Sequence, residues 1–456
     1  MKIKNQTLLM ALAITLAIPL SMPIGGLSAQ AETLEGALSQ TLARNPSLSS
    51  ARSNYEAQYL SQFITMADML PQVTAFVSET RSDTDAKNAY SKARVNSMNQ
   101  PMYETDLLDS DSYGLQLTQQ LFTSGRNLNA FRAKRAEIRS EEANLISVEQ
   151  QILLASISAY LDVLQAQSVL DLREKNVTVL ENQLSAVKDR FSVGVVTRTD
   201  VAQSEAAVAG ALTQRLIAQS SLQAARAVYR EVIGIEASNL VKPTKLPRLP
   251  RTLDRAISIA RKESPGLKSA QELATSGRFN SLSTIGSALP SVDLTGSYTR
   301  TENPNGAKQV DIDTLSVQVR LNVPLFRGGR SVAAIYGARD YNSALKSNVH
   351  VASNTVEREV IVAWHNVAST KSSIGANQQQ IKAAELALEG VRQENRLGTR
   401  TNLDVLNAEQ LLLDAKVALV QAERNQYVAA YNLLATTGRL TAKRLRVEPA
   451  NITEEK

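Results

Sequence analysis

The chain repeats itself, and that repeat constrains its fold more than any other feature. Thr33-Leu34-Glu35-Gly36-Ala37, followed by Asn45-Pro46, returns 219 positions later as Thr252-Leu253-Asp254-Arg255-Ala256, followed by Ser264-Pro265. The same offset pairs Leu70-Pro71 with Leu289-Pro290. The offset then falls to 204. Leu121-Phe122 and Gly125-Arg126 match Leu325-Phe326 and Gly329-Arg330, and Gly194 with Asp200-Val201 matches Gly398 with Asp404-Val405. The fifteen residues that the second half lacks fall within 72–120, and the polar run 83–111 is the natural place for them. Residues 241–251 separate the halves. Pro243, Pro247 and Pro250 cannot continue a helix, so this segment reads as a linker.

The first repeat spans 32–240 and the second 252–440, with a polar tail over 441–456. Each half shows the same order of parts. A helix comes first, about 33–66 and 252–285. Strand pairs follow, about 72–82 with 113–122 and 291–300 with 314–323. A very long helix is next, 127–192 and 331–396, and then a shorter one, 199–234 and 402–437. No Gly or Pro occurs from Asn127 to Val193, so that helix reaches roughly 100 Å at 1.5 Å per residue. The two shorter helices of a half together match the long one, which suggests that they stack end to end beside it. Leu145, Val148, Ile152, Ala155 and Ala159 recur at three- and four-residue steps, a coiled-coil-like seam. With aromatics at only 4%, the composition suits narrow seams rather than a thick core.

The strands alternate. Leu315, Val317, Val319, Leu321 and Val323 are separated by polar residues, as are Tyr113, Leu115, Leu117 and Leu121, and Val292, Leu294 and Tyr298. Segments of about ten residues with one apolar face fit tilted strands crossing an outer membrane, and equally a half-buried soluble sheet. Four strands cannot close a barrel, and lipid does not tolerate open sheet edges. Either the sheet packs inside a soluble domain, or several chains pool strands; three chains make twelve.

Lys2 and Lys4, an apolar run from Leu8 to Leu20, and Ala29-Gln30-Ala31 form an export signal peptide over 1–31, cleaved after Ala31. It removes two positive charges from the formal +6, leaving a mild excess spread along the chain with no dense basic block. That pattern does not point to nucleic acid. The absence of cysteine excludes disulfides, thiolate metal sites, a cysteine nucleophile and a lipid-anchored N-terminal cysteine. The two histidines, His350 and His365, are too far apart to share one helix turn. No serine elbow, phosphate loop or metal-binding pair appears, so neither an enzyme nor a cofactor protein is indicated.

Three local patterns, in order and duplicated, now identify a resemblance. They are the Asn-Pro or Ser-Pro after the first helix of a half, the Leu-Phe-x-x-Gly-Arg corner, and Gly398-Thr-Arg-Thr-x-x-Asp-Val405. Over about 33–440 the chain resembles the TolC family of outer-membrane efflux and secretion channels. The resemblance implies a mainly α fold with long coiled-coil-like helices and four transmembrane strands per chain. In a homotrimer these complete a 12-stranded barrel and an α-helical tunnel through the periplasm. It implies a passive export conduit for drugs or secreted proteins, set in outer-membrane lipid. Its implied partners are a periplasmic membrane-fusion adaptor and an inner-membrane transporter of the RND or ABC type.

The resemblance also implies site residues. Asp404, with Asn407 one turn on, belongs to the pore constriction as a ring around the axis. Asp200 and Arg400 match residues that hold the helices closed through polar links. Gly194, Val195, Gly398, Thr399 and Thr401 match the adaptor-docking tips. Asn407 stands where a second carboxylate is expected, and Asn395 where a tyrosine is common, so the entrance carries less charge and a weaker latch. Three converging Asp404 carboxylates would repel and titrate upward, and a divalent cation on the axis would relieve them. A second reading stays open, because Thr197 with Asp200 and Thr401 with Asp404 fit S/T-x-x-D, a helix capping box. A competing function is a periplasmic coiled-coil adaptor bridging two membranes, which would be soluble without detergent.

Overall fold

The computed structural model describes residues 32–82, 108–302 and 311–450. The signal segment 1–31, the bulk of the extra polar run of the first half and the final residues of the tail lie outside the described residues.

Each half opens with two helices, not the single helix expected over 33–66 and 252–285. In the first half these are α1 (Leu34–Arg44) and α2 (Pro46–Ala67), with Asn45 between them. Pro46 lacks an N–H and disfavours helical geometry in the residue before it, and Asn45 is extended at φ −67°, ψ 119°. Asn45 Oδ1 then caps α2, accepting from the N–H groups of Ser47 at 3.0 Å and Leu48 at 3.1 Å. Its Nδ2 donates to the Val232 carbonyl at 2.8 Å, which fixes the break against the far end of the half. Ser264-Pro265 makes the equivalent break between α5 (Leu253–Glu263) and α6 (Pro265–Gly286).

Strands β1 (Gln72–Ser82), β2 (Leu108–Phe122), β3 (Ser291–Glu302) and β4 (Asp311–Asn322) form one antiparallel sheet in chain order. β2 begins earlier than the expected 113. The register puts Val73, Leu117, Gly296 and Val317 in one row, and Val77 and Tyr113 in another. One face is therefore apolar from the helix end of the sheet up to the Val77–Tyr113 row, where Arg300 and Asp313 complete the row and charged residues take over, while Thr74, Gln116, Ser297 and Ser316 line the other. The apolar face is uncovered: Val77 is 85% exposed, Leu315 77% and Val317 73%. Tyr113 and Tyr298 sit toward its outer end, donating to Glu302 at 3.0 Å and Asp313 at 3.1 Å. β1 and β4 are edges with no further partner strand among the described residues.

From the sheet run the two long helices, α3 (Arg126–Ser192) and α7 (Arg330–Arg396), and each returns through a partner, α4 (Arg198–Ile233) or α8 (Asn402–Thr436). α3 is central, packing on α1, α2, α4, α6 and α8, whereas α7 packs on α5, α6 and α8. Both long helices have 67 residues, yet seventeen of them are buried in α3 and five in α7. The sequence repeat thus produces equal helices in unequal settings, and α7 keeps an open flank carrying Val332, Tyr336, Tyr341 and Val351.

The main core lies at mid-height, where Leu38, Leu48, Leu153, Ile157, Tyr160, Tyr229 and Ile233 meet. The Tyr160 hydroxyl lies 2.6 Å from the Val241 carbonyl and 2.8 Å from that of Glu32. Burial pushes its pKa up to about 12. Tyr229 donates to Glu32 Oε1 at 2.5 Å, and burial raises its pKa as well. The second repeat ends in a turn at Gly438 and buried Leu440. The described part of the polar tail over 441–456 forms α9 (Ala442–Leu445), buries Val447 and bonds to Ser39 of α1 through Glu448 and Ala450. Gly438, at φ +74°, passes so close to Glu263 that a Cβ would sit 2.4 Å from its carbonyl oxygen.

Candidate gate at the helical tips

The ends of α3–α4 and α7–α8 farthest from the sheet carry the expected site residues, and the two tips are built alike. Gly194 at φ +76° and Gly398 at φ +80° reverse the chain in the left-handed region. The Gly194 N–H donates to Phe191 at 2.9 Å and the Val195 N–H to Arg190 at 2.9 Å. The Gly398 N–H donates to Asn395 at 3.1 Å and the Thr399 N–H to Glu394 at 3.0 Å. Orphan carbonyls of each long helix are thus satisfied before the next helix begins. Val193, Val195 and Leu397 project as apolar knobs, each at least 70% exposed.

Both following helices start with a complete capping box. Thr197 N–H and Oγ1–H donate to Asp200 Oδ2 at 2.9 and 2.7 Å, and Asp200 N–H donates to Thr197 Oγ1 at 3.3 Å. Thr401 and Asp404 repeat this at 3.0, 2.8 and 3.2 Å. Asp404 is held below the usual carboxylate range by the Thr401 hydroxyl first, then the Thr401 N–H, with the Arg400 charge adding to it. Within one protomer the pull on Asp404 is therefore opposite to the upward shift expected of a crowded ring. Capping and pore lining are not exclusive, since Oδ2 takes both Thr401 bonds.

Arg400 pairs with Glu394 at 2.9 Å, inside its own turn. That partner, through hydrogen bonding and charge, raises the Arg400 pKa. Asn395 Nδ2 donates to the Arg400 carbonyl at 3.0 Å and staples the same turn. Neither Arg400 nor Asp200 makes the cross-helix link expected of it within this protomer, because each is already engaged locally. Asn407 is exposed beside Leu403, Leu406 and Gln410, facing Gln203 and Ala206 across an open groove between α8 and α4.

Near the tips the two hairpins are linked at a residue that sequence reasoning passed over. Asn402, first residue of α8, is only 9% exposed. Its Oδ1 accepts from Gln183 Nε2 of α3 at 3.0 Å, and its Nδ2 donates to Ser204 Oγ of α4 at 2.8 Å. Ser204 in turn donates to the Asp200 carbonyl at 3.0 Å. One amide thus ties α8 to both helices of the other hairpin. Arg392 and buried Glu409 form an ion pair between α7 and α8 nearby. No sequence motif marked Asn402. Its only trace was a polar residue directly after the N-cap Thr401, a position that normally faces water.

A four-stranded sheet with an uncovered apolar face, set on paired rods with capped ends, defines a class: membrane channels that continue as helical tunnels. The sequence matches the outer membrane efflux protein family over residues 37–234 and 256–439, and the chain belongs to that family. It is 32% identical over 430 residues to the outer membrane efflux protein BepC of Brucella suis biovar 1, covering 94% of this chain and 90% of that protein. It is 27% identical over 431 residues to the outer membrane protein TolC of Vibrio cholerae, covering 92% and 94%. The Campylobacter jejuni CmeC outer membrane channel superposes with a TM-score of 0.77 at 17% identity, covering 92% of this chain and 90% of that one, and so shares the fold. The protein is thus a channel of the Gram-negative outer membrane that serves tripartite export systems, and not an enzyme.

Proposed function

We propose that three copies of this chain form one duct, a twelve-stranded barrel in the outer membrane continued by a helical tunnel into the periplasm and closed at the tips. The observation that carries this reading is the sheet. Its apolar face is exposed, and among the described residues β1 and β4 leave two rows of backbone groups unpaired. In hydrocarbon each unpaired group costs several kcal/mol, roughly, so the edges must meet edges of other copies. The open flank of α7 exposes Val332, Tyr336, Tyr341 and Val351, and a neighbouring protomer packed there removes that apolar surface from water.

The duct opens when α7–α8 parts from α3–α4 at the tips, against the Asn402 link, and Asp404 contributes a carboxylate to the entrance. Gly194, Val195, Gly398, Thr399 and Thr401 present the docking tips to a periplasmic adaptor, which couples the duct to an RND or ABC transporter. The leader is removed after Ala31. Purified protein in neutral detergent is expected to have a trimer mass and to give a small cation-preferring conductance in planar bilayers. Asp404→Ala is expected to weaken cation preference and divalent block. A monomer that stays soluble without detergent would overturn the duct in favour of a periplasmic adaptor.

A further inference from the structure

The fold gathers a basic belt from two segments far apart in sequence. Residues 239–262 and 438–450 hold eleven Lys and Arg against two acids. That surplus exceeds the formal +6 of the whole chain, so the remainder is net acidic. The two segments meet at Glu263, which binds Arg439 at 2.9 Å and Arg444 at 2.7 Å. They lie at one height on the bundle. Val241 contacts Tyr160 of α3, Ala442 N–H donates to Glu149 of α3 at 3.0 Å, and Arg261 binds Glu357 of α7 at 2.6 Å. Lys245, Arg248, Arg251, Arg255, Lys262, Lys443 and Arg446 are exposed and have no acidic partner among the described residues. Surface cations normally alternate with acids, so this many without counter-charges at one level is a field built for an anion.

The height of the belt identifies the anion. Tyr160 lies 34 residues along α3 from Arg126 at the sheet, roughly 50 Å at 1.5 Å per residue. Screening confines surface charge to about 8 Å at physiological salt, so lipid headgroups beside the sheet are out of reach. The tips lie a similar distance beyond. An anion available at this level around a periplasmic tunnel is the cell-wall polymer, whose stem peptides bear free carboxylates. We propose that the belt of Lys245, Arg248, Arg251 and Arg255, with Lys262, Lys443 and Arg446, binds peptidoglycan carboxylates and seats the duct in the wall. This rests on the tunnel reading above, and three protomers would repeat the belt around the axis.

The test is co-sedimentation of the detergent-solubilised protein with purified peptidoglycan sacculi. The comparison is a variant carrying Lys245→Gln, Arg248→Gln, Arg251→Gln and Arg255→Gln. All four side chains are exposed, and the trimer mass of the variant is checked first. Wild type is expected to bind, to weaken with added salt, and to release sacculi whose carboxylates have been amidated. The variant is expected to bind at least about tenfold more weakly, each of the four exposed charges contributing about two-fold or more. Equal binding by variant and wild type, no binding by wild type, capture of amidated sacculi as strong as that of native sacculi, or capture of phosphatidylglycerol vesicles as strong as that of native sacculi would each overturn the proposal. Planar-bilayer conductance of both proteins separates the cases: channels without wall binding leave the duct standing, and absence of channels places the failure in the duct itself.

Discussion

Replacing Asn402 by alanine should loosen the closed entrance more than any single change at the turns themselves. The side chain accepts from Gln183 and donates to Ser204 in a setting only 9% exposed. A neutral hydrogen bond contributes about 0.5–1.5 kcal/mol net, so two lost bonds cost about 1–3 kcal/mol per protomer. If α8 leaves α3–α4 as a unit, this raises the open population roughly 5- to 150-fold per protomer, at 1.4 kcal/mol per factor of ten. Single-channel recording should show longer or larger openings at unchanged ion preference, because no charge is altered. Ser204→Ala removes one of the two bonds and should show part of the effect. The double variant should be less than additive, with a coupling near 1 kcal/mol. Asn402→Ala channels with wild-type opening and wild-type thermal stability would refute the reasoning and leave Asn402 as a passive packing residue.

Other expectations follow from the caps and the core. Asp404 has a folded pKa below its ordinary 3.8, so its cap stabilises α8 above that pH and is lost as pH falls through the lower folded value. Entrance conductance should therefore rise in strong acid and not between pH 5 and 8; a midpoint near neutrality would point instead to a crowded carboxylate ring. Asn45→Ala removes the cap of α2 and the tie to Val232, and should cost about 1–2 kcal/mol in chemical unfolding. Tyr229→Phe strips Glu32 of its hydroxyl donor in the core and should cost about 2 kcal/mol, where an unchanged unfolding midpoint would contradict that role.

The duplicated plan and the strand faces were legible because they rest on period and offset, which survive without tertiary information. Alternation alone placed Val317 and Leu315 on one face, and the register agrees. The Asn45-Pro46 pair was noticed as a motif, yet the break it makes was missed, since a helical pattern continues on both sides of it. The capping boxes were legible from spacing, and both formed. Asn402 was not, because its burial comes from α8 beginning against Gln183 and Ser204, residues about two hundred positions away. The belt escaped for the same reason. Its cations looked scattered along the chain until Gly438 brought the last helix against Glu263.

α3 runs without a break from the sheet to the tip, and its midpoint is clamped in the core by Tyr160. The stretch beyond that clamp, from Tyr160 to Ser192, is roughly 48 Å long. It behaves as a lever with a fixed fulcrum. A tilt of about 5° at the clamp carries the free end roughly 4 Å, enough to separate a hydrogen-bonded pair. Motions too small to disturb the core at mid-height are thereby magnified at the helical tips. The leverage belongs to the uninterrupted rod, so a single glycine or proline placed below Tyr160 would blunt it without touching a residue at the entrance.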